Sequence, residues 1–279
     1  MNEYSPYIKD VVLGICIFLI PFVIPLFKIN TDVGTLVTAT STVFAVVAGF
    51  FIADAMSNYL RLQTLISEEN AALVALADNA KKIDQQNSPA VHQAIDDYII
   101  AQLDLWTLSH ILQTQKQIDK LDAAINALKV GPEDAGSYDH LLSMKEKILS
   151  SRQEILFAAK KNLTVGHWAT LITLAVLVGF TVLAVRDGSF FMDLIAGLMM
   201  LGMQAILILL RDMDNNRLLE MKIGFDTVRD VFHSLSRPPY YPFSTPLKYR
   251  VPDEGGLYRL GRESLHSQPS YDVIDIRKK

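Results

Sequence analysis

Residues 33–76 read VGTLVTATSTVFAVVAGFFIADAMSNYLRLQTLISEENAALVAL. The stretch starts as a membrane helix and ends as a water-soluble one, with no proline to interrupt it. Up to Ala53 it is apolar apart from Thr, Ser and Gly; from Arg61 onward charges appear between Leu62, Leu65, Leu73 and Leu76. One row of its residues is Thr40, Phe44, Val47, Phe51, Asp54 and Asn58, spaced four, three, four, three, four, which is one stripe of a helix. Asp54 is costly against lipid, so the stripe is expected to face water, a partner or a bundle interior. A polar mouth, an apolar middle and an acidic exit are the makings of a pore lining. A second face, Thr35, Thr38, Thr42, Ala45, Gly49 and Ala53, competes with it. Ala45, Gly49 and Ala53 recur every four residues, the small-residue pattern of close helix packing. Either the aromatic stripe lines a pore while the small face packs, or the small threonine-rich face is the wetted one. The placing of Asp54 on the aromatic stripe favours the first.

The rest of the chain extends the membrane reading. Of its 279 residues 50% are hydrophobic, concentrated in four blocks at 11–27, 33–53, 168–185 and 190–210. Each approaches the ~20 residues that cross a hydrocarbon core. Pro21 and Pro25 inside the first block, and the absence of a small-residue cleavage site after it, mark a retained, kinked helix rather than a signal peptide. Neighbouring helices are expected to satisfy the carbonyls those prolines free. Lys9, Arg61, Lys160, Lys161, Arg211, Arg217 and Lys222 flank the blocks on one side, and only Lys28 and Arg186 on the other. The bias of basic residues predicts an even number of passes, both termini cytoplasmic, in a bacterial inner membrane.

Between the second and third blocks the sequence predicts packed helices. Apolar positions recur from Val91 to Ile111, then at Ile118, Leu121, Ile125 and Leu128, with Gly131-Pro132 as a stop and Leu141, Met144, Ile148 and Ile155 beyond it. Ser88-Pro89 reads as a helix cap followed by proline at the first position. After the fourth block Leu218, Met221, Phe225, Val228 and Phe232 share one face. From Ser236 onward prolines and glycines deny regular structure, and no strand pattern of useful length is evident. The expected organisation is membrane helices over 1–58, a cytoplasmic bundle over 59–166, membrane helices over 167–211, an amphipathic helix over 212–235 and an extended, partly disordered tail over 236–279. The fold class is all-α, a polytopic membrane protein with four transmembrane helices and a cytoplasmic helical bundle.

Other chemistry is thin. Asp212, Asp214 and Asn216 alternate like the opening of a calcium-binding loop, but Arg217 takes the required glycine and Ile223 the closing glutamate, so a capping or interfacial role is expected and no metal. Glu68 and Glu69 point to different sides of a helix, and pairing with Arg61 or a base on another helix is expected. His167 opens the third block as an interfacial anchor. Cys16 is the single cysteine, which excludes an intrachain disulfide and a thiolate zinc site. A net charge of −4 argues against nucleic acid. No nucleophile triad or phosphate loop emerges, so no cofactor and no enzyme is expected.

The run Gly49–Leu76, with Arg61 and Glu68-Glu69-Asn70-Ala71, and the Leu210-Arg211-Asp212-Met213-Asp214-Asn215 that ends the last block, resemble the bacterial bestrophin-like membrane family. The resemblance extends over 33–235 in layout. It implies four spans with both ends inside and a ring-shaped homo-oligomer whose second helix lines an ion path with a hydrophobic neck. Phe44, Val47 and Phe51 would form that neck and Asp54 the inner mouth, where a ring of four or five carboxylates favours cations. The expected partners are the bilayer, inorganic ions and further copies of the chain, as a tetramer or pentamer. The rival expectation is a membrane-anchored sensor or scaffold whose cytoplasmic helices bind a partner protein.

Overall fold

The computed structural model describes residues 5–26, 33–105, 114–160, 163–215, 226–242, 257–261 and 271–275. Among these residues eight α-helices dominate: α1 (Ser5–Val23), α2 (Val33–Ile83), α3 (Ser88–Leu105), α4 (Gln115–Asn126), α5 (Ala135–Ala159), α6 (Val165–Val185), α7 (Phe190–Asp214) and α8 (Asp226–Ser234). The chain divides into two compact units, Met1–Tyr59 with Asn162–Arg217, and Leu60–Lys161 with Leu218–Lys279. Helix α2 runs unbroken for 51 residues and contributes to both.

The first unit holds α1, the start of α2, α6 and α7. Among the described residues three helices are long and apolar enough to cross a membrane: α2, α6 and α7. Threonine hydroxyls on α2 bond back within the helix, Thr38 donating to the Gly34 carbonyl at 3.1 Å and Thr42 to the Thr38 carbonyl at 2.8 Å. That back-bonding is what lets a threonine-rich segment enter hydrocarbon. The core joins Phe44 and Ala48 of α2 to Leu171, Val178 and Val182 of α6 and to Ala196 and Leu210 of α7. Helices α1 and α7 cross at glycines. A Cβ on Gly197 would lie 2.8 Å from the Phe18 carbonyl oxygen, and one on Gly14 would lie 3.2 Å from Gln204 and Leu201.

Arg186, at the end of α6, closes the end of α1. Pro25 has no N–H to offer the Pro21 carbonyl, so that acceptor loses its helical partner. The last regular bond runs from the Ile24 N–H to the Ile20 carbonyl at 3.0 Å. The Arg186 guanidinium donates to the Pro21 carbonyl and to that of Ile24 at 3.0 Å. It also donates to its own Leu183 carbonyl at 3.2 Å and to Asp193 at 3.2 Å. A cation at a helix C-terminus is favourable, and this one is paired. The turn between α6 and α7 needs Gly188, whose φ of 86° lies in the left-handed region. Ser189 then caps α7 by accepting the Met192 N–H at 3.3 Å.

The second unit packs the rest of α2 against α3, α4, α5 and α8. Its core includes Leu73 and Leu76 of α2, Ile95, Tyr98 and Ile99 of α3, Leu121 and Ile125 of α4, Leu141 and Ile148 of α5, and Phe232 of α8. These are the rows the sequence marks; Trp106, Ile111, Leu218, Met221 and Phe225 lie outside the described residues. Ser88 opens α3, but its hydroxyl donates back to the Gln85 carbonyl at 3.3 Å. Asp84 holds that turn instead. Its carboxylate accepts from the N–H groups of Gln86 and Asn87 at 3.1 Å, from the Asn87 amide at 2.6 Å and from the Lys129 N–H at 2.9 Å.

The tail departs from expectation. It carries a three-stranded sheet ordered β1 (Tyr240–Tyr241), β2 (Leu257–Gly261), β3 (Tyr271–Asp275). β1 pairs parallel to β2, with Tyr240 opposite Arg259, and β2 pairs antiparallel to β3, with Leu257 opposite Asp275. Arg259, buried in β2, donates two 2.7 Å bonds to Asp96 of α3, and Arg237 adds a third at 2.7 Å. The Arg259 guanidinium also lies 4.9 Å from the centre of the Phe232 ring. These strands are too short to show periodicity, and their anchor is an ion pair far apart in sequence.

Candidate pore helix

Within the first unit, the stripe marked on α2 is divided. Thr40 and Phe44 are buried, Phe44 at 4% exposure. Val47, Phe51 and Asn58 are half-buried, and Asp54 is exposed. The covering element is chiefly α6: the Thr40 and Thr181 hydroxyls lie 3.2 Å apart, and the Phe51 and His167 rings are 5.0 Å apart. The aromatic part of the stripe, Phe44 with Val47 and Phe51, therefore packs within the chain, beside Val37, Ala48 and Ala55 in the same core.

Roughly opposite on the helix runs a row of Thr35, Ala39, Thr42, Val46, Gly49 and Ala53, again spaced four, three, four, three, four. Every member is exposed, and a Cβ on Gly49 would meet nothing within 4 Å. Ala45, the third of the small residues, is exposed beside it. The small face that the sequence marks for packing therefore stands open among the described residues. The most exposed large hydrophobic side chain of α2 is Phe50, at 71%, between this row and Asp54. The periodicity is legible in the sequence for both faces. Which face turns inward depends on α6, whose Thr181 lies 141 residues beyond Thr40, and a single helical wheel carries no such signal.

The acidic run closing α7 is structural. Asp214 accepts the Leu163 N–H at 2.6 Å and the Trp168 indole N–H at 3.2 Å, tying the end of α7 to the start of α6. Asp212 is buried and takes the Arg211 guanidinium at 3.0 Å. Asn216 lies outside the described residues. Among those described, no cluster of His, Cys, Asp and Glu could hold a metal ion. His167 joins a capping box with Thr164, its N–H and its ring Nδ1 each 3.4 Å from the Thr164 partner.

Two ion pairs escape a reading of the sequence because each partner has another explanation. Arg211 reads only as a flanking cation, yet its guanidinium makes a bidentate pair with Asp10 of α1, at 2.9 and 2.7 Å. Arg186 is likewise a flank, and its burial is signalled only by the prolines it serves. In the second unit Arg61 pairs with Glu154 at 3.1 Å and Glu68 with Lys147 at 2.5 Å, both partners on α5. Glu69 is instead buried, and accepts from the Tyr98 hydroxyl and from Gln102 at 3.2 Å. Burial pushes its carboxyl above the usual range, against the pull of the Tyr98 bond.

This arrangement of helices has a match among known families. The model of the bestrophin-like domain covers residues 11–215. The chain belongs to the bestrophin-like family. A solved structure, described as the crystal structure of a membrane protein in a glycine-to-alanine variant, aligns with a TM-score of 0.62 at 10% identity, covering 83% of this chain and 99% of that one. At that identity the likeness is one of fold. No curated protein matches the chain. A bestrophin-like membrane protein belongs, in general terms, to a family of ion channels, and the apolar lengths of α2, α6 and α7 fit a bilayer.

Proposed function

We propose that the protein is a homo-oligomeric passive ion channel of the bestrophin-like type, with α2 lining the conduction path. In this reading α1, α2, α6 and α7 are four spans, and both termini lie on the cytoplasmic side of a bacterial inner membrane. The observation that carries it is the row Thr35, Ala39, Thr42, Val46, Gly49 and Ala53, which faces away from α6 and is exposed along its whole length. Several copies arranged with α6 outermost turn this row to a common axis. This row shares Thr35, Thr42, Gly49 and Ala53 with the small face weighed from sequence, and takes Ala39 and Val46 in place of Thr38 and Ala45. Small residues and threonine hydroxyls make the wall, Val46 and Phe50 make its narrow apolar part, and Asp54 stands at the inner mouth. A ring of such carboxylates concentrates cations and favours them. Phe44, Val47 and Phe51 then hold the wall helix against α6.

Currents from purified protein in planar bilayers test this. Gly49→Trp is expected to lower conductance, and Asp54→Asn to shift the reversal potential toward lower cation preference. Phe44→Ala is expected to lower thermal stability with no gain in current. A Phe44→Ala protein of unchanged stability and raised conductance would return the pore to the aromatic stripe. Sizing of the detergent-solubilised complex is expected to give a tetramer or pentamer; a dimer would support the anchored scaffold instead.

A further inference from the structure

The second unit buries two acids and provides for them differently. Asp96 of α3 receives two guanidinium bonds from Arg259 and one from Arg237, each at 2.7 Å. Glu69 of α2 is 3% exposed and is met by neutral donors. Its Oε1 accepts from the Tyr98 hydroxyl and from the Gln102 amide at 3.2 Å, and that amide also donates to the Tyr98 oxygen at 2.6 Å. One turn to either side along α2 stand Leu65 and Leu73, both buried. Arg152 of α5 lies over the Tyr98 ring, its guanidinium carbon 5.2 Å from the centre, and donates to the buried Thr114 hydroxyl at 3.1 Å. Glu68, the neighbouring residue on α2, makes an ion pair instead, with Lys147 of α5. An ionised carboxyl so enclosed needs a cation bonded to it, as Asp96 has; among neutral donors the protonated form is favoured.

We propose that Glu69 is a proton-operated latch between α2 and α3: its neutral carboxyl holds the bundle closed, and loss of that proton to solvent at higher pH loosens the contact. The released state is a carboxylate among a phenol, an amide and leucines, and the helices around it open to admit water. Among the described residues, the titratable groups that act on Glu69 are Tyr98 and Arg152. Burial raises its carboxyl above the usual range, opposed in turn by the Tyr98 bond, the Arg152 charge and the Gln102 bond. Burial foremost, and then the charge of Glu69, also hold the Tyr98 phenol well above its usual value, so Tyr98 keeps its proton and a single proton works the latch. An acid whose pKa is raised by folding stabilises fully below its unfolded value, and that stabilisation is lost as the pH rises through the folded value. All these residues lie in the second unit, so the latch is independent of any pore.

The test is hydrogen exchange of the full-length protein in detergent from about pH 5 to about pH 9, read at residues 65–76 and 94–103. The quantity read is the ratio of protection in the parent chain to that in a variant that cannot ionise, which cancels the intrinsic pH dependence of exchange. Glu69→Gln and Glu69→Met both serve as that reference, folding being checked by circular dichroism and gel filtration. The ratio is expected to fall about tenfold as the pH rises across the range. Glu68→Gln, which alters the neighbouring ion pair, is expected to leave the fall in place. Infrared difference spectra, parent minus variant at about pH 6, are expected to show the carbonyl stretch of a protonated carboxyl, fading as the pH is raised. A ratio that stays constant across the range overturns the proposal. So does the absence of that carboxyl band.

Discussion

Replacing Arg186 with methionine keeps an unbranched stem about as far as Nε and removes all five donors. The wild-type guanidinium is almost wholly enclosed, its side chain 2% exposed. Its loss strands the Pro21 carbonyl, which Pro25 has already deprived of a helical donor, and the Ile24 carbonyl at the end of α1. It also leaves Asp193, 17% exposed, without its cation. Breaking a buried ion pair from one side costs about 3–5 kcal/mol, and the orphaned carbonyls are part of that figure rather than additional to it. At about 2–4 °C per kcal/mol for a chain of this size, the melting temperature in detergent should fall by about 6–20 °C. Circular dichroism at 222 nm reads the fall, and hydrogen exchange localises it to residues 20–26. Arg186→Met with Asp193→Asn should recover part of the loss, since the stranded charge is gone. A fall of less than about 3 °C in the single variant would mean that the end of α1 does not depend on this cap.

Two more outcomes follow from contacts already described. Gly197→Ala puts a methyl group 2.8 Å from the Phe18 carbonyl, so α1 and α7 must move apart; a loss of about 1–3 kcal/mol is expected, read by thermal unfolding, whereas Gly49→Ala, with open space around it, should be close to neutral. Four donors around the Asp84 carboxylate, the Asn87 amide foremost, hold its pKa down to about 2, from the usual 3.8. Its stabilising effect is therefore complete above about pH 4 and fades as the pH falls toward 2, and the acid limb of the unfolding curve should be shallower in Asp84→Asn than in the parent chain.

What can be read from the sequence is what depends on neighbours along the chain. The unbroken α2, the apolar lengths of α6 and α7, and the bundle rows Ile118, Leu121, Ile125 and Leu141, Ile148, Ile155 all follow from periodicity, and the structure has them as helices. What cannot be read depends on partners far away. Phe44 and Phe51 share the expected stripe, but only Thr181 and His167 reveal that the stripe is covered. Asp10 gives no sign of Arg211, and the prolines of α1 signal a freed carbonyl without saying that Arg186 serves it. The strands of the tail are hidden for the same reason: Leu257–Gly261 is five residues long, bounded by glycine, and contains an arginine whose burial makes sense only beside Asp96.

That last pairing bears on how the chain is made. Asp96 is completely enclosed, yet the bases that neutralise it, Arg237 and Arg259, are 141 and 163 residues downstream. At about 5–20 residues per second, a ribosome needs on the order of 7–33 s to reach them. Until then a carboxylate sits on α3 with neither arginine to receive it, and the helices around it cannot close without burying an uncompensated charge. A chain lacking Arg237 and Arg259 keeps that defect, so closure of the bundle around Asp96 waits on the segment that carries them.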